Sequence, residues 1–259
     1  MMTQGKIHHR YIQAKNPHRT HIQYYTMTST TGGGGGSPII ESFAVPPLGC
    51  NCTIIGDATS RDCICIDPGG NVNKILQKIS SHNLTLRRVL ITHGHLDHII
   101  GGKELKLKTG CDIIMHQDDL TLYENVVNQC RDFGIEPPSD VVSGLPKPDE
   151  FITDGDIIQW SPSYKVECIH CPGHSPGSMS YHIPECQIVC VGDTLFEGSV
   201  GRTSWAGIPS LQGTSDAQQL QGSIKYKLFQ QLSPETVVIC GHGGQTTIGE
   251  EQQYNPYVR

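Results

Sequence analysis

Thr92-His93-Gly94-His95-Leu96-Asp97-His98 is the stretch that decides how this chain is read. It follows the short β-rich run Arg88 to Ile91 without a break. Side chains alternate along an extended or turning segment, so His93 and His95 can share one side while Asp97 and His98 reach a neighbouring point. Imidazole and carboxylate are the ligands expected for zinc, iron or manganese. Four ligand-type side chains in so short a loop exceed what one tetrahedral ion takes from a single segment. The spacing therefore points to two adjacent metals. It is not the helical H-E-x-x-H pattern of zinc proteases.

Working outward, three more ligand-type residues end apolar runs. His174 lies in Cys171-Pro-Gly-His174-Ser-Pro-Gly177, after Tyr164 to Ile169. Asp193 lies in Val191-Gly192-Asp193-Thr194, after Gln187 to Val191, and His242 lies in Cys240-Gly241-His242-Gly243, after Thr236 to Ile239. Each sits beside glycine at the C-terminal end of a predicted strand, where α/β sheets place their sites. Glycine lets the backbone turn sharply and lets groups approach closely. Singly, each would read as a hydrogen-bonded histidine or a turn aspartate; together they point to one site. His82, His116, His170 and His182 lack this setting and are read as structural.

The remaining pattern is a layered α/β fold. Residues 38–67 alternate short apolar runs with turns and end at Asp67-Pro-Gly-Gly70. Val72, Ile75, Leu76 and Ile79 recur at helical spacing over 71–80. Residues 99–108 and 217–232 read as helices, and 112–115 as a strand. Residues 151–170 read as strand, turn and strand, with Asp154-Gly155-Asp156 as the turn.

The chain has 259 residues and a formal charge of −6. No apolar run approaches the ~18 residues of a membrane span, so no membrane partner is expected. Residues 1–37 hold Lys6, Arg10, Lys15 and Arg19 with no acid, plus His8, His9, His18 and His21 and the glycines 32–36. They are expected to form a disordered basic leader and Gly linker, with residues 38–259 as the folded domain. The leader resembles a mitochondrial transit peptide and equally a solvated tail, so a cytoplasmic or mitochondrial location is expected. Beyond it the charge is −10 (−6 less +4), which argues against nucleic acid as a partner. The 11 cysteines are odd in number and sit in apolar runs, which suits small hydrophobes in a reducing compartment rather than a disulfide framework. Cys168 and Cys171 form one C-x-x-C, but no second pair accompanies it at zinc-ribbon spacing.

T-H-G-H-L-D-H, P-G-H-S-P-G-S, G-D-T-L-F and G-H-G, in this order, resemble the metallo-β-lactamase superfamily over about residues 40–257. Within it, Asp67-Pro-Gly-Gly70, Val200-Gly-Arg-Thr203 and the run Gly241-His-Gly, Thr246-Thr-Ile-Gly249 and Asn255-Pro256 resemble glyoxalase II (hydroxyacylglutathione hydrolase). The likeness is to short members, because residues 243–259 are too few for a C-terminal helical domain.

The resemblance implies a four-layer αββα sandwich with two divalent metal ions, zinc first, iron or manganese also suited. It gives His93, His95 and His174 to one metal, Asp97, His98 and His242 to the other, and Asp193 to both. Asp97 is expected to orient the attacking hydroxide as well. The implied reaction is hydrolysis of a small-molecule thioester, S-lactoylglutathione or another S-2-hydroxyacylglutathione. Alternatives are a persulfide dioxygenase using one iron, a lactonase, a nuclease, or a non-catalytic metal binder. The family often places Asp and Pro after Gly-Arg-Thr, where this chain has Ser204, Trp205 and Ala206. Arg202 is expected to be either a buried structural cation or a weak substrate contact, the first being favoured, and the polar loop 206–216 to border the pocket. The oligomeric state is left open.

Overall fold

The computed structural model describes residues 37–258. The expected leader and Gly linker lie outside the described residues. The chain opens with three antiparallel strands, β1 (Ile39–Val45), β2 (Cys50–Gly56) and β3 (Asp62–Ile66). There follow α1 (Val72–Ser81), β4 (Thr85–Leu90), α2 (Leu96–Ile99), α3 (Gly102–Thr109), β5 (Asp112–His116), α4 (Leu120–Glu124), α5 (Val126–Asp132) and β6 (Glu150–Ile152). Strands β3 to β6 run parallel, and the order β1-β2-β3-β4-β5-β6 makes a six-stranded sheet.

The second half adds β7 (Ile157–Gln159), β8 (Lys165–His170), β9 (Met179–Ile183), β10 (Ile188–Gly192), the small hairpin β11 (Leu195–Phe196) and β12 (Ser199–Val200), α6 (Ala217–Ser223), β13 (Val237–Cys240), β14 (Gln245–Thr247) and α7 (Ile248–Tyr254). Its sheet has the order β14-β13-β10-β9-β8-β7. The Asp154-Gly155-Asp156 turn is not a hairpin turn. It carries the chain from β6, on the edge of the first sheet, to β7, on the edge of the second. A period-2 pattern locates such strands but does not say which neighbours pair. The predicted helix at 217–232 divides at Ser223 into α6 and a π-helical stretch, Ile224–Phe229.

Three apolar clusters account for four layers. In β3, Cys63 and Cys65 face the helices α1 and α5 with Ile75, Ile79 and Val126, while Ile64 and Ile66 face the second sheet. In β10, Ile188 and Cys190 face inward between the sheets, while Val189 and Val191 face α6 and α7 through Leu220 and Ile248. Strands buried on both faces read as near-continuous apolar runs, as these do. A one-residue slip would swap both faces at once, and a fully buried isoleucine is worth about 1.5–3 kcal/mol, so the register is strongly fixed. The structure is the expected four-layer αββα sandwich.

Cys168 lies between the sheets and Cys171 under α6, so the C-x-x-C pair does not converge on an ion. All eleven cysteines are free and buried. Among the described residues, no helix is long and apolar enough to cross a membrane.

Candidate metal centre

The C-terminal ends of β4, β10 and β13 and the loop after β8 meet at one edge of the sandwich. The structure brings all seven predicted site residues together there. His93, His95 and His174 form one group whose nitrogens could hold an ion, and Asp97, His98 and His242 form a second. His174 Nε2 lies 3.2 Å from His93 Nε2 and 3.0 Å from His95 Nδ1. In the second group His242 Nε2 is 3.1 Å and His98 Nε2 is 3.8 Å from Asp97 Oδ2. Asp193 stands between them: its Oδ1 is 3.5 Å from His98 Nε2, and its Oδ2 is 3.7 Å from both His174 Nε2 and His242 Nε2. Donors about 2.0–2.1 Å from a tetrahedral ion lie about 3.3 Å from one another, which is this spacing.

The hydrogen bonds behind the cluster decide what it can hold. The Thr92 hydroxyl donates to Asp67 Oδ2 at 2.6 Å, so its oxygen is left to accept from His93 Nδ1 at 3.0 Å. His174 Nδ1 donates to the Arg202 carbonyl at 2.8 Å. A neutral imidazole has one N–H, so both Nε2 atoms then present bare lone pairs to each other. Two lone pairs at 3.2 Å repel unless a cation lies between them. His98 Nδ1 likewise meets Asp67 Oδ2 at 2.9 Å, which turns its Nε2 toward Asp97 and Asp193. Such outer partners fix the tautomer of a metal-binding histidine. His98 Nε2 and Asp193 Oδ1, 3.5 Å apart, are buried and make no hydrogen bond. The donor set therefore fits metal ions.

The electrostatics agree. Burial and the neighbouring imidazoles push His93 far below the usual histidine range. Burial and then His174 do the same to His95, and burial lowers His174 against the pull of Asp193. All three are neutral and ready to ligate. In the second group burial acts to lower His98, but Cys50, Asp97, Asp67 and Asp193 outweigh it and carry the pKa up. Burial likewise lowers His242, while Asp193 and Asp97 carry it up. Burial alone would raise Asp97; His98 and His242 hold it well below the ordinary carboxylate range. One triad offers lone pairs and the other asks for positive charge.

Glycine keeps the cluster tight. A β-carbon on Gly241 would collide with Asp193 Oδ1. Gly192 adopts φ +51°, and a β-carbon there would strike the Thr92 side chain.

Several supporting residues escape a sequence reading. Asp67, at φ 52°, takes Thr92 N and Oγ1 and His98. It too follows the end of a strand, but Pro68 separates it from Gly69 and Gly70, so the glycine-neighbour rule that finds Asp193 passes it by. Asp119 accepts from Gly94 N, Gly177 N and Ser175 Oγ. Gln129 accepts from Leu96 N and donates to the Gly94 carbonyl. Both lie in 117–132, where no period marks them.

The Gly-Arg-Thr segment corrects one expectation. Arg202 is exposed rather than buried, because its Nε donates to the nearby Ser204 carbonyl and its guanidinium lies 4.9 Å from the Trp205 ring centre. Trp205 stands edge-on to His95 at 5.0 Å. Beyond it the loop docks on α5, where Ser210 N donates to Asp132. The four histidines read as structural find protein partners: His82 meets Glu41, His182 meets Glu167, and His116 stacks on His170 at 4.0 Å. His116, Asp118 and His170 also lie close enough together to hold an ion.

Comparison with known proteins adds to this geometry. The metallo-beta-lactamase superfamily model matches residues 45–242. The hydroxyacylglutathione hydrolase GloC of Haemophilus influenzae is 34% identical over 226 residues, covering 85% of this chain and 97% of that protein. The crystal structure of TTHA1623 in a di-iron-bound form matches with a TM-score of 0.72 and 30% identity, over 84% of this chain and 99% of that one. The BLEG-1 B3 metallo-beta-lactamase structure matches with a TM-score of 0.74 and 27% identity, over 85% and 99%.

Proposed function

Because the chain belongs to the metallo-β-lactamase superfamily and is a hydrolase of that family, we propose that it is a thioesterase of the hydroxyacylglutathione hydrolase type. Water would cleave the C–S bond of an S-2-hydroxyacylglutathione, such as S-lactoylglutathione, to give the 2-hydroxy acid and glutathione. The observation that carries this reading is the pair of ligand triads joined through Asp193. GloC, similar over nearly its whole length, supports the substrate class.

His93, His95 and His174 would hold one divalent ion, Asp97, His98 and His242 the other, with Asp193 shared. Bound there, such a pair lowers the pKa of water from 15.7 towards about 7 and stabilises the oxyanion that develops on a carbonyl. Asp97 stays ionised and acts as acceptor for the attacking water, aiming its lone pair at the thioester carbon. Asp67 and the Arg202 carbonyl hold His98 and His174 in the tautomers that point into the site. No thiol of the chain serves as nucleophile: burial pushes Cys50, on the far side of His98, up to about 12.

The test is thiol release from S-D-lactoylglutathione by the metal-loaded protein, run beside oxygen uptake with glutathione persulfide and hydrolysis of a lactone. Thiol release that disappears in His93→Ala supports the reading. Oxygen uptake or lactone opening without thiol release overturns it.

A further inference from the structure

We propose that Arg202 and Trp205 form a carboxylate-binding subsite at the mouth of the metal centre, which selects thioesters bearing a free carboxylate; this rests on the thioesterase reading above. The segment is anchored to the cluster by its backbone, because the Arg202 carbonyl accepts from His174 Nδ1 at 2.8 Å. The side chain then turns back over Trp205, with its guanidinium carbon 4.9 Å from the ring centre. The indole in turn stands edge-on to His95 at 5.0 Å and His174 at 5.6 Å. An unbroken run of contacts thus leads from one triad, through an aromatic wall, to a cation.

The hydrogen bonds of Arg202 leave it ready for a ligand. Its Nε donates to the Ser204 carbonyl at 2.5 Å, which fixes the plane of the group. The two Nη atoms make no hydrogen bond to the described residues, and the side chain is exposed. Two Nη atoms in one plane form the fork that grips a carboxylate through two parallel bonds. Stacking on indole pre-organises that fork, so less freedom is lost on binding. A substrate anion also needs a local cation, since residues 38–259 carry a net −10. Glutathione thioesters meet the requirement, with carboxylates several bonds from the scissile carbonyl and an amide-rich stem to lie along the indole.

The test compares kcat/KM for S-D-lactoylglutathione with that for the S-D-lactoyl thioester of N-acetylcysteamine, which has no carboxylate. Arg202→Ala should lower the ratio of the two by about 10- to 100-fold, chiefly through KM. Arg202→Lys, which keeps the charge but not the fork, should restore part of it. Trp205→Ala should lower it by about 3- to 10-fold. A ratio unchanged in Arg202→Ala, or equal losses on both thioesters, overturns the subsite and leaves the thioesterase reading intact. Calorimetric titration of the metal-loaded protein with S-methylglutathione gives an independent readout. Binding that weakens about tenfold or more in Arg202→Ala supports the subsite even if no thioester is turned over, in which case only the thioesterase reading fails. S-methylglutathione binding equally to both proteins overturns the subsite.

Discussion

The Asp119 carboxylate accepts the Ser175 hydroxyl at 2.7 Å, and so ties the loop that carries His174 to the loop that carries His93 and His95. Its two oxygens also take Gly94 N at 2.7 Å and Gly177 N at 2.6 Å. Burial raises its pKa, opposed by these three bonds. Asp119→Ala leaves the Gly94 and Gly177 N–H groups without an acceptor, each costing about 1–3 kcal/mol, while the Ser175 hydroxyl keeps Ser178 Oγ at 2.7 Å. We expect a loss of stability of about 2 kcal/mol or more in denaturant unfolding of the metal-free protein. We also expect zinc affinity, measured against a competing chelating dye, to fall about 10- to 100-fold, because outer partners orient the ligands. Unchanged affinity would show that Asp119 only supports the fold.

Gly241 is the place where one carbon atom should be enough to damage the site. Its added β-carbon would meet Asp193 Oδ1, the oxygen that faces His98. Gly241→Ala should displace the shared carboxylate and lower turnover by about 100-fold, as misplacement on the scale of 1 Å does. Metal analysis should show fewer than two ions bound. Gly102→Ala is the control, since its β-carbon meets only Ile113 Cδ1 at an ordinary 3.7 Å. It should keep both metal and turnover.

The buried thiols predict alkaline sensitivity. Burial pushes Cys168, Cys171 and Cys186 up to about 12 from an ordinary value of 9.0. A raised folded-state pKa gives stability that is whole below pH 9 and is lost as pH rises towards 12, because only the unfolded chain then releases the proton. Each such thiol contributes a slope of about 1.4 kcal/mol per pH unit across that window. Unfolding free energy of the protein should therefore fall steeply above pH 9. A thiol-reactive dye at pH 8 should label almost nothing in the native protein and all eleven cysteines after denaturation. Rapid native labelling would contradict the burial.

What the chain discloses without its structure follows a physical division. The seven clustered residues were legible because each is a ligand-type side chain beside glycine or within one short loop, at the end of a strong apolar run. The two-sided burial of β3 and β10 was legible for the same reason, since continuous apolar runs mark strands covered on both faces. Asp119 and Gln129 were not, because their role is to accept and donate across 25 to 58 positions of sequence. α4 and α5, at five and seven residues, are too short to show a period. Arg202 was misjudged because its charge is turned outward by a local bond to Ser204, which no spacing encodes.

The most direct measurement is a zinc titration of metal-free protein with hydrolysis of S-D-lactoylglutathione followed at each step. Turnover should rise with added metal and saturate at two equivalents per chain. Saturation at one equivalent, or no thiol release at two, would contradict two-metal thioester hydrolysis.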